Sequence, residues 1–220
     1  MLTQSFLQRF ALVFLFLVQA LSSVADSLTL TFTDQSGKPV NDAVACITGP
    51  GLTPPVATGS ALIVQRDKTF RPLVTLIHTG MRVEFPNEDC IMHHVYSFSK
   101  PKKIDIPLYK DQKPQPVVFD KAGLVVLGCN IHDWMKAYVY VTDAPVYGKS
   151  KESGTLGFTL PPGSYSLELW HPRLKKVQGE SFPKTISVGS GKPTTYSFSL
   201  EIKKESTANR APTLEPGGSY

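Results

Sequence analysis

The sequence lacks several features that would each point to a different class of protein. It has only three cysteines in 220 residues, which are too few for a disulfide-rich scaffold. After residue 25 no apolar run approaches the ~20 residues that a membrane-spanning helix needs, so we expect no membrane span. The 23 lysines and arginines are scattered and form no arginine-rich segment, which argues against nucleic acid as a partner.

Helical periodicity is also missing beyond the first twenty residues, which excludes a helical bundle. In its place, 18 prolines and 16 glycines separate short runs of Val, Thr, Tyr, Phe and Leu. Runs of this composition, bounded by turn residues, are typical of β-strands. The predicted fold class is therefore all-β.

The two ends of the chain differ from the rest. Residues 1–25 contain Arg9, an apolar run over 10–21, and small residues before Asp26. This is the pattern of a secretory signal peptide that is cleaved after residue 25, so we expect an exported protein. Residues 203–220 are polar and contain proline and glycine, and we predict a disordered tail.

The most informative stretch is residues 128–135, in which Cys129, His132 and Met135 follow one another at intervals of three. A type 1 copper centre uses one thiolate and two imidazole nitrogens in a plane, with a methionine sulfur as a weak axial ligand. Three of these four groups lie on this one loop. The second histidine must come from elsewhere, and the paired candidates are His93 and His94, on a predicted strand. The sequence therefore predicts one copper ion.

Alternating and apolar runs predict the strands that would carry this loop. In the middle of the chain these strands are 61–66, 74–78, 82–85, 93–98, 117–119, 124–127 and 136–141. Residues 100–116 are rich in Lys, Pro and Asp and are predicted to be a loop.

These ligand segments resemble the cupredoxins, the blue copper proteins. Asn87 is followed, after several residues, by His93-His94-Val95 at the start of a strand. In the family an asparagine precedes a His-Asn-Val sequence there, so the resemblance implies that His93 is the ligand. The Cys-x-x-His-x-x-Met spacing is that of the amicyanin branch. The resemblance covers residues 58–143 and implies a Greek-key cupredoxin sandwich.

The same resemblance implies roles around the metal. His132 would be the surface electron port, with Trp134 and Ile131 in its apolar rim. His94 stands where relatives have an asparagine that braces the two ligand loops, and it either replaces that brace or leaves it weaker. Relatives often have an aromatic residue at the position of Gly128, so we expect the thiolate to be less shielded here.

A second resemblance involves both ends of the exported chain. The sequences Asp-x-x-Gly-Lys-Pro-Val-x-Asp-Ala-Val (34–44) and Leu-Pro-Pro-Gly-Ser-Tyr-Ser-Leu (160–167) are similar to carboxypeptidase-regulatory or transthyretin-like sandwiches. This implies a smaller, discontinuous β-sandwich made of 27–50 with 150–202, into which the cupredoxin is inserted through a linker at 144–151. The alternative is that 27–50 decorates the cupredoxin sheet.

The cysteines outside the copper loop leave two alternatives open. If Cys129 binds metal, Cys46 and Cys90 remain in a chain that we expect to reach an oxidising compartment. They either form a disulfide, as is common there, or are two small buried free thiols.

Four further residues receive ordinary structural interpretations. His78 and His171 have no partners in the sequence, and we expect them at the surface or at strand ends. Asp89 and Asp133 are interpreted as turn residues.

The function that this sequence predicts is a periplasmic type 1 copper protein that carries single electrons. Its partners would be redox proteins, a dehydrogenase or a cytochrome. The alternative is a copper-binding or copper-delivery protein with no role as an electron carrier. We do not expect an enzyme, since copper oxidases and nitrite reductases need a second copper site with extra histidines. The layout is also similar to accessory proteins grouped under methylamine utilisation.

Overall fold

The computed structural model describes residues 26–189 and 191–204. The predicted signal peptide, 1–25, and all but the first two residues of the predicted tail lie outside this part. No helix in the described residues is long and apolar enough to cross a lipid bilayer. The strands are β1 (Asp26–Asp34), β2 (Val44–Thr48), β3 (Ser60–Leu62), β4 (Val64–Arg66), β5 (Thr69–Arg71), β6 (Val74–His78), β7 (Arg82–Glu84), β8 (His93–Ser97), β9 (Ile104–Tyr109), β10 (Val117–Val118), β11 (Gly123–Gly128), β12 (Lys136–Thr142), β13 (Val146–Lys149), β14 (Thr155–Leu160), β15 (Gly163–Trp170), β16 (Leu174–Val177), β17 (Lys184–Val188) and β18 (Thr194–Ile202).

A five-stranded sheet in the order β6-β12-β11-β8-β9 and a three-stranded sheet in the order β10-β7-β3 form what we call the site sandwich. Strand β12 shows how its core arises, because Ala137, Val139 and Val141 alternate into the interior and are at most 1% exposed. They pack with Val125 of β11 and Val83 of β7 in one buried cluster.

Strand β9 was not predicted, because the expectation of a loop over 100–116 was wrong for Ile104–Tyr109. The strand lies at the edge of the sheet, where it pairs only with β8. An edge strand tolerates Pro107, since one side of its backbone has no neighbour that needs an N–H group. Ile104 is buried and anchors the strand in the core.

Two four-stranded sheets, β14-β1-β18-β16 and β13-β2-β15-β17, form what we call the flanking sandwich, and β4 and β5 form a separate two-stranded hairpin beside the site sandwich. Strand β1 pairs with β14 in antiparallel fashion and with β18 in parallel fashion, so its neighbours come from the far end of the chain. Leu28, Leu30 and Phe32 of β1 pack into a core with Leu167 of β15 and Phe198 of β18. The prediction of an all-β protein with two sandwiches is confirmed.

The two sandwiches meet in a third buried cluster, which includes Val44 and Cys46 of β2 and Val74 of β6. Trp170 of β15 packs here against the outward-facing rings of Tyr138 and Tyr140, at ring-centroid distances of 5.7 and 5.3 Å. The segment 144–151, expected to be a linker, contains β13, which pairs with β2. The connection is therefore part of the sheet that covers this junction.

We predict that Leu30→Ala destabilises the protein because Leu30, at 0% exposure, fills the flanking core. A buried leucine replaced by alanine loses packing and leaves a cavity, so the free energy of unfolding should fall by about 2–5 kcal/mol. Chemical denaturation measures this change. The matched control is Ser27→Ala on the exposed face of the same strand, with an effect within about 0.5 kcal/mol. Equally small effects of both substitutions would contradict the burial of β1.

Candidate metal centre

Three side chains that can bind metal converge at one end of the site sandwich. His93 opens β8, Cys129 directly follows β11, and His132 lies on the short loop before β12. One ligand atom from each lies within 4.8 Å of the others. His93 and Cys129 lie at strand ends, and the loop that carries His132 is short. The sheet therefore determines how closely the three side chains approach one another.

The distances suit a metal ion bound between the three side chains. The Cys129 sulfur lies 4.0 Å from Nδ1 of His93 and 3.8 Å from Nδ1 of His132. Metal–sulfur and metal–nitrogen bonds of about 2.3 and about 2.0 Å that meet at a trigonal angle separate the two donors by about 3.7 Å. The spacing of the three ligand atoms therefore fits a bound metal ion.

Met135 completes the predicted set from within the core. Its side chain is 2% exposed and belongs to the same buried cluster as Cys129. A backbone hydrogen bond from the Met135 N–H to the carbonyl oxygen of His132, at 2.9 Å, closes the short loop. The four predicted ligands therefore lie in one region of the structure.

Asp89 orients the His93 ring, a role that sequence reasoning missed. The Nε2 atom of His93 donates to the Asp89 carboxylate at 2.7 Å, which leaves Nδ1 to face the cysteine. Ligand histidines commonly donate their other ring N–H to a carboxylate, which fixes the tautomer and the ring orientation. An aspartate four residues before a candidate ligand could have suggested this contact, but the interpretation as a turn residue concealed it.

The same carboxylate also binds the turn between β4 and β5. Asp89 accepts hydrogen bonds from the backbone N–H groups of Asp67 and Lys68, at 2.7 and 2.9 Å. Both turn residues have positive φ, 54° and 53°, as a two-residue type I′ hairpin requires. Burial raises the pKa of Asp89, but these hydrogen bonds and the one from His93 outweigh burial and keep it below its usual value.

The β4–β5 turn contacts the second ligand loop as well. The indole N–H of Trp134 donates to the carbonyl oxygen of Lys68 at 2.9 Å. One hairpin turn therefore holds the loop before His93 through Asp89 and the loop around His132 through Trp134. The two ligand loops are therefore braced by a third segment, the β4–β5 hairpin. The residues of the loops alone did not predict this contact.

His94 does not supply the brace that was considered for it. Its side chain bonds to the Asp105 carboxylate of β9, with 2.8 Å between Nε2 and Oδ1. Its contribution to the site is its backbone N–H, which donates to the Cys129 sulfur together with the N–H of Ile131. Sequence reasoning identified the residue but not the atom that acts.

The site favours the thiolate form of Cys129 and the neutral form of His132. Burial raises the pKa of the Cys129 thiol, but hydrogen bonds from His93 and two backbone N–H groups lower it below its usual value. Burial and the charges of His93 and Lys68 lower the pKa of His132, so its imidazole is neutral at neutral pH. Metal ligands are thiolates and neutral imidazoles.

Glycine at position 128 does not expose the sulfur, contrary to expectation. Cys129 is 2% exposed. Tyr96 of β8 lies opposite Gly128, and a Cβ atom at 128 would approach the Tyr96 Cζ to 2.7 Å. The glycine therefore makes room for a tyrosine ring, which takes the space that a side chain at this position would fill.

The surface beside His132 is apolar. The Trp134 ring lies 5.1 Å from the His132 ring, and Ile131 is 48% exposed. Met92, next to His93 and 51% exposed, is a further apolar side chain near the ligands that sequence reasoning did not single out. His132 itself is only partly buried.

The remaining cysteines are free, so the disulfide considered from the sequence does not form. Cys46 is buried at the junction of the sandwiches, where its sulfur lies 3.4 Å from the Thr142 hydroxyl. Cys90 is exposed on the loop before β8, which also corrects the alternative of two buried thiols. The two residues lie in different sandwiches, and Cys46 faces the interior.

No family model matches the sequence, and no curated protein matches it either. Among solved structures, a purple cupredoxin from Nitrosopumilus maritimus is similar at 23% identity and TM-score 0.34, covering 37% of this chain and 99% of that one. A mutant of amicyanin in its reduced Cu(I) form is similar at 19% identity and TM-score 0.36, covering 44% and 98%. A Cu-containing nitrite reductase from Thermus scotoductus is similar at 22% identity and TM-score 0.37, covering 51% and 28%.

We predict that Asp89→Asn lowers the pKa of His93 in the metal-free protein. Burial lowers this pKa, but hydrogen bonds to Cys129 and Asp89 and their negative charges raise it above its usual value. Removing the carboxylate charge removes one of the contributions that favour the imidazolium form. A pH titration of the His93 ring signals by NMR measures the change.

The matched control for this titration is Asp105→Asn, which removes the carboxylate beside His94 instead. It should leave the pKa of His93 unchanged. An unaltered His93 titration in both variants would show that Asp89 does not act on the ring as described.

Proposed function

We propose that this protein binds one copper ion through His93, Cys129 and His132, with Met135 as a weak axial ligand, and carries single electrons between redox proteins of the periplasm. The observation that carries the proposal is the convergence of one sulfur and two imidazole nitrogens within 4.8 Å. Two histidines and one cysteine in a trigonal set with a methionine are the donors of a blue copper site.

The donor set favours copper over the harder metals. Calcium, magnesium and manganese prefer carboxylate, carbonyl and water oxygens, and none of the three converging ligand atoms is an oxygen. Zinc usually takes four strong ligands in structural sites, whereas a thioether such as that of Met135 is a soft ligand that suits Cu(I). Copper would supply a one-electron couple at this position.

The rigidity of the site supports an electron carrier. The His93 ring is held by Asp89, and the backbone N–H groups of His94 and Ile131 point at the Cys129 sulfur. Ligands that are held by such contacts move little when the charge of the metal changes, and a small rearrangement favours fast electron transfer. A buried sulfur also supports this role more than a role in copper delivery, because release of the metal requires access to the thiolate.

The other three histidines belong to no second metal-binding group among the described residues, which supports a carrier more than an oxidase. His94 bonds to Asp105, and Nδ1 of His78 bonds to the carbonyl oxygen of Thr79. Within residues 26–189 and 191–204, no second group of three histidine, cysteine or acidic side chains has metal-binding spacing. A second copper site of the kind that such enzymes use has no ligands here.

The partners we propose are redox proteins, a dehydrogenase or a cytochrome, that dock at the apolar surface around His132. Ile131 and Trp134 provide that surface. Redox partners typically form small, short-lived interfaces, for which a few exposed apolar side chains suffice. The periplasmic location is inferred from the predicted signal peptide, and a link to methylamine utilisation from sequence resemblance alone.

The test is a Cu(II) titration of the exported chain, followed by visible absorption and voltammetry of the loaded protein. We expect an intense visible band from the copper–thiolate bond and a reversible one-electron wave. Cys129→Ser should abolish the band because it removes the thiolate. The matched control is Cys90→Ser, which removes an exposed free thiol and should retain both signals.

Two results would contradict the proposal. A band that survives in Cys129→Ser would show that another thiol binds the copper. A strong band without a reversible electrode response would contradict the carrier role and favour copper delivery.

A further inference from the structure

A cleft of about 300 Å³ lies where the two sandwiches meet, and Trp134 is one of the residues that line it. Its walls come from both sandwiches. Six of the residues that line it are Leu73, Trp134, Lys136, His171, Pro172 and Arg173. This volume is at the lower end of the range for small-molecule sites, which are often found between domains.

His171 provides a buried polar group in this cleft. It is 4% exposed and directly follows β15, so of the two places expected for it, the surface or a strand end, it takes the strand end. Its Nδ1 accepts the backbone N–H of Arg173 at 3.2 Å, so in the neutral ring the proton is on Nε2. Burial and the Arg173 charge lower the pKa of His171 to about 4, so the ring is neutral. Within the described part of the chain, Nε2 has no hydrogen-bond partner, which leaves a donor for a ligand.

The charge of the cleft is positive. Lys136 and Arg173 line it, and neither forms a salt bridge with any of the described residues. The guanidinium of Arg173 makes one long hydrogen bond, 3.5 Å from Nη1 to the carbonyl oxygen of Lys203. The carboxylate on the same cleft, Asp42, is already paired with Lys149. Two cations are therefore uncompensated beside the buried imidazole.

The cleft also has apolar and aromatic lining, although Asn41 adds a further polar group. Leu73, which is 44% exposed, and Trp134 line it from the site sandwich. Pro172 lines it from the flanking sandwich. Small-molecule sites usually combine apolar lining with a few convergent polar groups.

We propose that this cleft binds a small organic acid, whose carboxylate is held by His171, Arg173 and Lys136. Its apolar body would lie against Leu73 and Trp134. Guanidinium and ammonium groups form strong, charge-assisted hydrogen bonds with a carboxylate, and a neutral imidazole N–H adds a third donor. The site needs no metal, so its existence does not depend on the function proposed above.

The position of Trp134 connects this site with the metal centre. Its ring lies 5.1 Å from the His132 ring, and its indole N–H is held by Lys68. An acid in the cleft therefore touches a residue that also borders the proposed electron port. The Trp134 indole N–H is a direct reporter of occupancy.

The experiment is an NMR titration of the metal-free exported chain with benzoate, observing the indole N–H signal of Trp134. The neutral isostere benzamide is the matched ligand control. We expect benzoate to shift the signal in a saturable manner at millimolar concentrations, and benzamide to bind at least about tenfold more weakly because it lacks the charge. Arg173→Gln should weaken benzoate binding about tenfold for the same reason.

The matched protein control is Lys175→Gln, which removes a nearby lysine that pairs with Glu201 outside the cleft. It should bind benzoate as the unmodified chain does. Equal binding of benzoate and benzamide, or no shift of the Trp134 signal, would overturn the proposal. An unchanged affinity in Arg173→Gln would do so as well.

Discussion

The hydrogen bond from the His93 ring to the Asp89 carboxylate is the interaction on which the geometry of the candidate metal centre depends. It fixes the ring so that Nδ1 faces Cys129, at 4.0 Å from the sulfur. The same carboxylate is held by two backbone N–H groups of the β4–β5 turn, and that turn also accepts the Trp134 indole N–H. Loss of this carboxylate would release the loop before His93 from the turn that also holds the loop around His132.

A second constraint is the burial of a thiolate. An unpaired charge in the interior is strongly unfavourable, so the fold must provide donors around the sulfur. The His93 ring, which in its protonated form donates from both nitrogens, and two backbone N–H groups do so, and they hold the Cys129 pKa low despite burial. The loop between β11 and β12 is short enough to bring His132 to the same sulfur, at 3.8 Å. The contacts that stabilise the Cys129 thiolate therefore also hold its sulfur close to the two histidines.

The sequence predicted what depends on local pattern and missed what depends on distant contacts. Alternating strands and the spacing of Cys129, His132 and Met135 are local signals, and the structure brings these three residues together with His93. The Asp89 contact is not local, since it requires the β4–β5 turn to pack beside the ligand loop. The edge strand β9 was missed because Pro107 was weighed as a loop signal without knowledge of its place in the sheet.

The most direct test of the copper site is X-ray absorption at the copper K edge on the copper-loaded exported chain. The account predicts one short copper–sulfur bond and two copper–nitrogen bonds, with the sulfur lost in Cys129→Ser. A shell made only of nitrogen and oxygen donors in the unmodified chain would contradict it, since the metal would then be bound away from Cys129.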